Sequence, residues 1–259
     1  RIQKNGLARY EFTGPGFAFQ HAILTRLGGV SAPPFDALNL GGGLGDDPAA
    51  VRENHRRVFA ALDIARDQVV SPHQVHGKHV ERVDARDGGT LIPETDALIT
   101  DSLGLALMLR FADCTPVLFY DPVQHAVGLA HAGWRGTAAG VVPATVQRMV
   151  AEFGSRPADL WAGIGPAIGP AHYAVGPEVV TAIARSLPAE AQVAERRDGQ
   201  WYLDLPEAVA QQLRSTGVER VARSGFCTFS HTEEWYSHRG EDGRTGRFGV
   251  VMMLRERAR

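Results

Sequence analysis

Apolar residues recur along this chain in two patterns, short runs bounded by Gly, Asp or Pro and longer stretches with helical spacing, and the switch between them outlines its elements. Residues 17–25 read as a β-rich segment, followed by a turn and loop through Gly28-Gly29 and Pro33-Pro34. Asp46-Asp47-Pro48 has the acidic residues and early proline of a helix start, and Val51, Val58, Phe59 and Leu62 carry that helix to about residue 63. Short strands are predicted over 68–75, 97–100, 105–111, 116–120 and 126–130. Helical spacing returns over 137–153 through Val142, Val146, Met149 and Val150; Pro143 is tolerated only in a first turn, so the regular helix is expected to begin near Val142. Further helices are predicted over 177–186 and 206–216, and a closing strand over 249–254. Helices and strands mix without a regular βα repeat. The expected fold class is therefore α+β, with a mixed or antiparallel β-sheet core and flanking helices rather than a doubly wound parallel sheet. One domain spanning residues 1–259 is the expectation for this length, with no internal repeat or low-complexity run to divide it.

Composition narrows the function classes. The 27 Lys and Arg against 29 Asp and Glu leave a formal charge of −2, which argues against coating nucleic acid or an anionic membrane. A hydrophobic content of 44% supplies a core and argues against disorder. The 29 Gly and 15 Pro predict many tight turns and structured loops. The longest apolar stretch, residues 103–109, falls far short of the ~20 residues a membrane helix needs. The start, Arg1-Ile2-Gln3-Lys4-Asn5, has no apolar signal region. With Cys114 and Cys227 too few for a disulfide framework, reduced thiols and a cytoplasmic location are expected.

Three clusters could carry chemistry. Around His73-Gln74-Val75-His76-Gly77-Lys78-His79, Val69, Val70 and Val75 with Pro72 and Gly77 favour a strand ending in a turn, with His76 pointing away from His73 and His79. Phe111-Ala112-Asp113-Cys114-Thr115-Pro116 holds a thiol at a junction between two strands, and Asp113 reads as a turn cap. Ala130-His131-Ala132-Gly133-Trp134-Arg135-Gly136 is a strand-to-helix corner. If the three converge, a thiolate with two imidazoles suits Zn²⁺ and leaves a fourth position open. The same residues also allow a cysteine nucleophile activated by His131 or His76, or a copper site of two histidines and a cysteine with a weak Met ligand. Spacing alone favours a buried small thiol beside satisfied histidines over any of these, and with no His-x-His pair copper oxidation is the weaker chemical reading. Cys227 reads as a buried small residue. The glycine-rich stretch from Asn39 to Asp46 fits neither a dinucleotide fingerprint nor a P-loop and reads as a turn. Arg239, Arg244 and Arg247 supply guanidinium groups for an anion such as phosphate, and His172 and Tyr173 are candidate wall residues.

Taken in order, the motifs resemble one family over nearly the whole chain. They are Thr25-Arg26 with Gly28-Gly29-Val30-Ser31, Leu38-Asn39-Leu40-Gly41, Gln74-Val75-His76-Gly77 and Thr95-Asp96-Ala97. They continue with Ala112-Asp113-Cys114, His131-Ala132-Gly133-Trp134-Arg135-Gly136, Gly165-Pro166-Ala167-Ile168-Gly169-Pro170 and Thr245-Gly246-Arg247. The sequence resembles the YfiH/YlmD family, also called laccase-domain, polyphenol-oxidase-like or peptidoglycan-editing-factor proteins. That resemblance implies that His76, Cys114 and His131 hold a metal, Zn²⁺ or alternatively Cu²⁺. It also implies phosphorolysis of purine nucleosides (adenosine, inosine, methylthioadenosine) and deamination of adenosine at one site, with nucleosides and phosphate as the small-molecule partners. On this reading Arg135 and Arg239 hold phosphate, Arg26 and Asn39 shape its surroundings, and Trp134 or Tyr236 forms an aromatic wall beside the base. Copper-dependent phenol oxidation, or a metal-free cysteine hydrolase acting on a cell-wall precursor, are the alternatives. The sequence departs from common members at Ala171-His172, where Cys-Cys often stands, and at His238, where Tyr is frequent, positions that bear on substrate preference.

Overall fold

The computed structural model describes residues 1–4, 6–14, 17 and 19–256. In chain order the elements are β1 (Ile2–Lys4), β2 (Leu7–Tyr10), β3 (Gln20–Leu24), α1 (Pro48–Leu62), β4 (Val69–Pro72), β5 (Val80–Arg82) and β6 (Leu91–Ile92). There follow β7 (Ala97–Thr100), β8 (Ala106–Phe111), β9 (Thr115–Asp121), β10 (Ala126–Ala132), α2 (Trp134–Ala139), α3 (Val141–Phe153) and β11 (Trp161–Ile164). The chain ends with β12 (Ala174–Val175), α4 (Pro177–Ala184), β13 (Ala194–Arg197), β14 (Gln200–Leu203), α5 (Leu205–Ser215), β15 (Arg220–Arg223) and β16 (Phe248–Met253).

The fold class is α+β with mixed sheets, but the core is two stacked sheets where the sequence predicts one. The first runs β1-β2-β3-β16-β8-β4-β6 and the second β15-β11-β9-β10-β7-β5, with β12-β14-β13 as a small third sheet. Leu107, Leu109, Val250 and Met252 of the first sheet pack against Leu118, Val127 and Leu129 of the second. On its other face the first sheet is covered by α1, through Val58, Phe59 and Leu62 against Met108, Val251 and Met253. The second sheet is covered by α3 and α5, with Val142, Val146, Met149, Val209 and Leu213 against Ile99, Val117, Phe119 and Ala130. Every residue of β9 and β10 is consequently buried. That is why these strands read as continuous apolar runs, not as an alternating pattern.

Residue size differs between the two faces of β10. Ala126, Ala130 and Ala132 pack in the helix-covered layer while Val127 and Leu129 fill the space between sheets. Gly128 lies in register with the alanines, and a Cβ there would come within 3.2 Å of Ile99 Cγ2 and 3.4 Å of Met149 Sδ. Gly128→Val is expected to push α3 outward and to lower unfolding free energy by about 1–3 kcal/mol, the usual cost of overpacking, measured by urea denaturation.

Local signals account for the helix ends. Asp47 caps α1 through its carboxylate on Ala49 N, Pro48 occupies the first turn, and Asp63 ends the helix in the left-handed conformation. Pro143 sits in the first turn of α3, as its missing N–H requires, and the helix begins at Val141. The sequence does not predict α2 or the strands β1, β2, β5, β6 and β11–β15. The predicted strand 17–25 is observed as Gln20–Leu24, and position 18 within it lies outside the described residues. Among the described residues, no helix is long and apolar enough to cross a membrane.

Candidate metal centre

Three connections pass from the first sheet to the second at one end of the stack. β4 is joined to β5, β6 to β7, and β8 to β9. β4, β6 and β8 run parallel to one another. The start of β9 lies opposite the end of β10, and the starts of β5 and β7 lie at that same end. His76, Asp96 and Cys114 occupy the three crossings, and His131 is the penultimate residue of β10. Strand direction alone therefore gathers four residues that are up to 55 positions apart in the sequence.

One ligand atom from each of His76, Cys114 and His131 lies within 4.8 Å of the others. The two imidazoles meet edge-on, with ring centroids 4.8 Å apart. His131 is buried, Cys114 half-buried and His76 exposed, so the cluster has a closed side and an open one. His131 Nδ1 is 2.8 Å from Asp96 Oδ1, which directs Nε2 toward the thiol and the second imidazole. Among the described residues this is the one such group of His, Cys, Asp or Glu side chains.

In the sequence Asp96 stands only within Thr95-Asp96-Ala97, and the structure makes it the anchor of the site. Its side chain is fully buried. It accepts the N–H groups of Val75 at 3.2 Å, His76 at 3.0 Å and Gly77 at 2.6 Å as well as the His131 contact. The backbone donors of residues 75–77 are thus taken by a carboxylate instead of a neighbouring strand. For this reason the predicted strand 68–75 stops at Pro72, and the strand-like alternation predicted for His73, His76 and His79 does not occur. His76 itself is held at φ 61°, a conformation rare for a side chain of its size. Gln74 completes the β4 edge with its side chain, donating to Arg110 O and accepting from Arg110 N.

Gly133 admits the cluster. A Cβ at that position would lie 2.8 Å from Cys114 Sγ and 3.1 Å from His76 Cδ2. No larger residue fits without displacing a donor atom.

Burial alone would push the Cys114 thiol up, but the charge and hydrogen bonds of His131 and then His76 outweigh it and bring the thiol down to about 6. For His131, burial opposes the charged form, and the neighbouring thiolate and Asp96 reverse that, raising it to about 9. The site by itself therefore favours a thiolate beside an imidazolium. The thiolate's contribution to stability is complete above the unfolded thiol's pKa and is lost as pH falls through about 6. The imidazolium's contribution is complete below the unfolded imidazole's pKa and is lost as pH rises through about 9. After chelator treatment, in a Cys227→Ser background, the iodoacetamide rate of Cys114 is expected to rise with a midpoint near 6; a midpoint at the usual thiol value would show the imidazoles are not beside the sulfur.

The cluster opens into a cleft of about 750 Å³ lined also by Trp134, Arg135, Tyr173, Arg239, Arg247 and Arg110. Arg135 stacks on the Trp134 ring at 4.4 Å, and Arg239 lies 5.4 Å from the Tyr173 ring while donating to Ala174 O. Burial disfavours the charged form of Arg247, whose guanidinium donates to Thr245 O and Gly246 O. The one carboxylate in the lining, Asp113, is already engaged: it accepts from Thr228 Oγ1, Ser237 Oγ and Arg239 N at 2.6–2.7 Å. Asp113 is therefore not a simple turn cap; it ties residues 228–239 to the thiol loop and sets Arg239 over the cleft. Four guanidiniums with no free carboxylate make an anion-accepting wall.

Three predicted residues stand behind this wall, outside the cleft lining. The Arg26 guanidinium is buried and bonds Asp36 O, Thr232 O and Glu241 Oε1. Its Cζ lies 4.4 Å over the Tyr236 ring. Tyr236 is fully buried with its hydroxyl donating to Phe35 O and lies outside the lining, whereas Tyr173 lines the cleft together with Trp134. Asn39 accepts from Arg247 N and Gly41 N and donates to Asp46 Oδ2. His172 stacks on Phe229 and lines a different, smaller cavity, and Arg244 lines another. Cys227 is half-buried, not fully buried, and its Sγ accepts the Gly169 N–H.

An α+β fold of stacked sheets with a His-Cys-His set at one end, opening on a cleft that four arginines line, defines a candidate site for a metal ion and a small molecule. The chain belongs to the family described as multi-copper polyphenol oxidoreductase laccase, whose model matches residues 20–255. It is 39% identical over 245 residues to purine nucleoside phosphorylase YlmD of Geobacillus stearothermophilus, covering 90% of this chain and 89% of that protein. It is 38% identical over 231 residues to purine nucleoside phosphorylase YfiH of Escherichia coli, covering 89% and 91%. The crystal structure of YlmD from Geobacillus stearothermophilus superposes with a TM-score of 0.94 at 37% identity, covering 99% of this chain and 98% of that one.

Proposed function

We propose that this protein is a zinc-dependent purine nucleoside phosphorylase, acting on adenosine, inosine and methylthioadenosine, that also deaminates adenosine. The observation that carries the reading is the His76-Cys114-His131 set, braced by Asp96 and opening onto a guanidinium-lined cleft. Phosphorylase relatives covering nine-tenths of the chain support it.

The donor set suits zinc. One thiolate and two imidazoles form a borderline-soft set, and Asp96 on His131 Nδ1 is the outer partner that a zinc-binding histidine usually has. His76, Cys114 and His131 would hold the ion, which when bound supplies a Lewis acid and lowers the pKa of water. The copper reading finds less support. The methionines Met108, Met149, Met252 and Met253 are all fully buried and none lines the cleft, so the weak axial ligand of a trigonal copper site is missing.

In phosphorolysis the cleft brings two reactants together. Arg135 and Arg239 grip phosphate, with Arg247 held in place by Asn39. Arg26 acts from behind, tying residues 232 and 241 to the loop at residue 36. Trp134 and Tyr173 give the purine apolar surface. A phosphate oxygen forms a bond to ribose C1′ as the C1′–N9 bond breaks, and the purine leaves with the electron pair and takes up a proton. The products are ribose 1-phosphate and free base. In deamination a water adds at adenine C6 and ammonia leaves.

Inosine with phosphate and zinc-loaded protein is expected to yield ribose 1-phosphate and hypoxanthine, with no product when phosphate is omitted. Oxygen consumption with a phenol, and no phosphorolysis, would contradict this reading and favour copper oxidation.

A further inference from the structure

On the other side of Arg110 lies a second cavity of about 740 Å³, between α1 and β4. It shares Arg110 and Gly42 with the metal cleft, and none of the candidate metal ligands lines it. Its apolar floor includes Phe59, Ile64 and Val69, and its polar lining includes Arg52, Arg56, Arg66 and Arg110. No Asp or Glu lines it, in a chain whose acidic residues outnumber its basic ones.

These cations differ in how they are balanced. Glu53 holds Arg56 in a two-pronged pair at 2.7 and 2.9 Å. Arg52 and Arg66, both exposed, have no ion-pair partner within 4 Å among the described residues. Arg110 is half-buried, donates to Pro72 O at 2.8 Å and likewise has no carboxylate partner among the described residues. Desolvation disfavours its charge. A guanidinium withdrawn from water without a counter-ion is costly to hold, and an anion beside it offsets that cost. Arg66, Arg110 and the half-buried His55 line this same cavity.

We propose that this cavity is a second ligand site that takes an organic phosphate, its ring or acyl body against Phe59 and Ile64 and its phosphate between Arg66 and Arg110. The apolar floor distinguishes the ligand from free phosphate, and the unpaired guanidiniums distinguish it from a neutral apolar molecule. The inference stands apart from the phosphorylase reading, since it needs neither the metal nor turnover.

Phenyl phosphate is the probe, titrated calorimetrically into the full metal-loaded chain beside inorganic phosphate. Two phenyl phosphate sites per chain are expected, one of which weakens at least tenfold in the Arg52→Ala/Arg66→Ala variant and is blocked sterically in Ala60→Trp. Both variants alter exposed residues, and circular dichroism checks their folding. Inosine phosphorolysis should be unchanged in both. If the chain shows no phosphorolysis but still loses one site in these variants, the proposed activity fails and this site stands. Identical binding in wild type and both variants, with all binding removed by Arg135→Ala/Arg239→Ala, would overturn it. So would a second site that prefers inorganic phosphate to phenyl phosphate.

Discussion

Cys114→Ala is expected to leave the purified protein with less than a tenth of its metal and to abolish inosine phosphorolysis. Cys114 supplies the one negatively charged donor of the set. Structural zinc sites are worth roughly 10–16 kcal/mol for four ligands, so one ligand carries about 3 kcal/mol, on the order of a hundredfold in affinity. Losing the charged one exceeds that average. The fold should persist, because Cys114 is half-buried at the end of the stack and only packs against the edge of a core made by many larger side chains. A Cys114→Ala protein with native circular dichroism, full metal content and full turnover would remove this residue from the site.

Asp96→Asn is expected to cost 10–100-fold in metal affinity, the range seen when the outer partner of a ligating histidine is replaced. The carboxylate accepts from three backbone N–H groups and from His131 Nδ1. An amide turns one of its two acceptor atoms into a donor, facing N–H groups that also donate. The His76 loop and the His131 ring both loosen as a result. Breaking buried charge-assisted hydrogen bonds should also lower unfolding free energy by roughly 3–5 kcal/mol. Competitive chelation measures the first effect and urea denaturation the second. An Asp96→Asn protein that binds metal as tightly as wild type would show that the imidazole is oriented by something else.

Much of the framework was legible because burial on both faces leaves a strong mark. β8, β9 and β10 stand out as apolar runs, and α1 announces itself through Asp47 and Pro48. The same double burial hid the second sheet, since a continuous apolar run does not say what covers either face. Residues 73–79 depart from the predicted strand for a different reason. Val75 and the valines before it favour a strand, but the Asp96 carboxylate takes the backbone donors of residues 75–77. Asp96 had a faint local signal, an acid immediately before the buried strand Ala97–Thr100, where a charge is costly without partners. Tyr236 and Arg26 carry the right chemistry for a ligand wall, and only their partners, Phe35 O and Glu241, reveal that they brace loops. Arg110 gave no signal within its apolar strand, and its place between two cavities comes from tertiary structure alone.

Elemental analysis of the protein as purified, compared with the His131→Ala variant, tests the central claim most directly. One zinc per chain in the wild type, lost in the variant, is the result expected of a shared centre at His76, Cys114 and His131. A wild-type protein that neither carries nor takes up a stoichiometric metal, or a variant that retains it in full, would contradict the account.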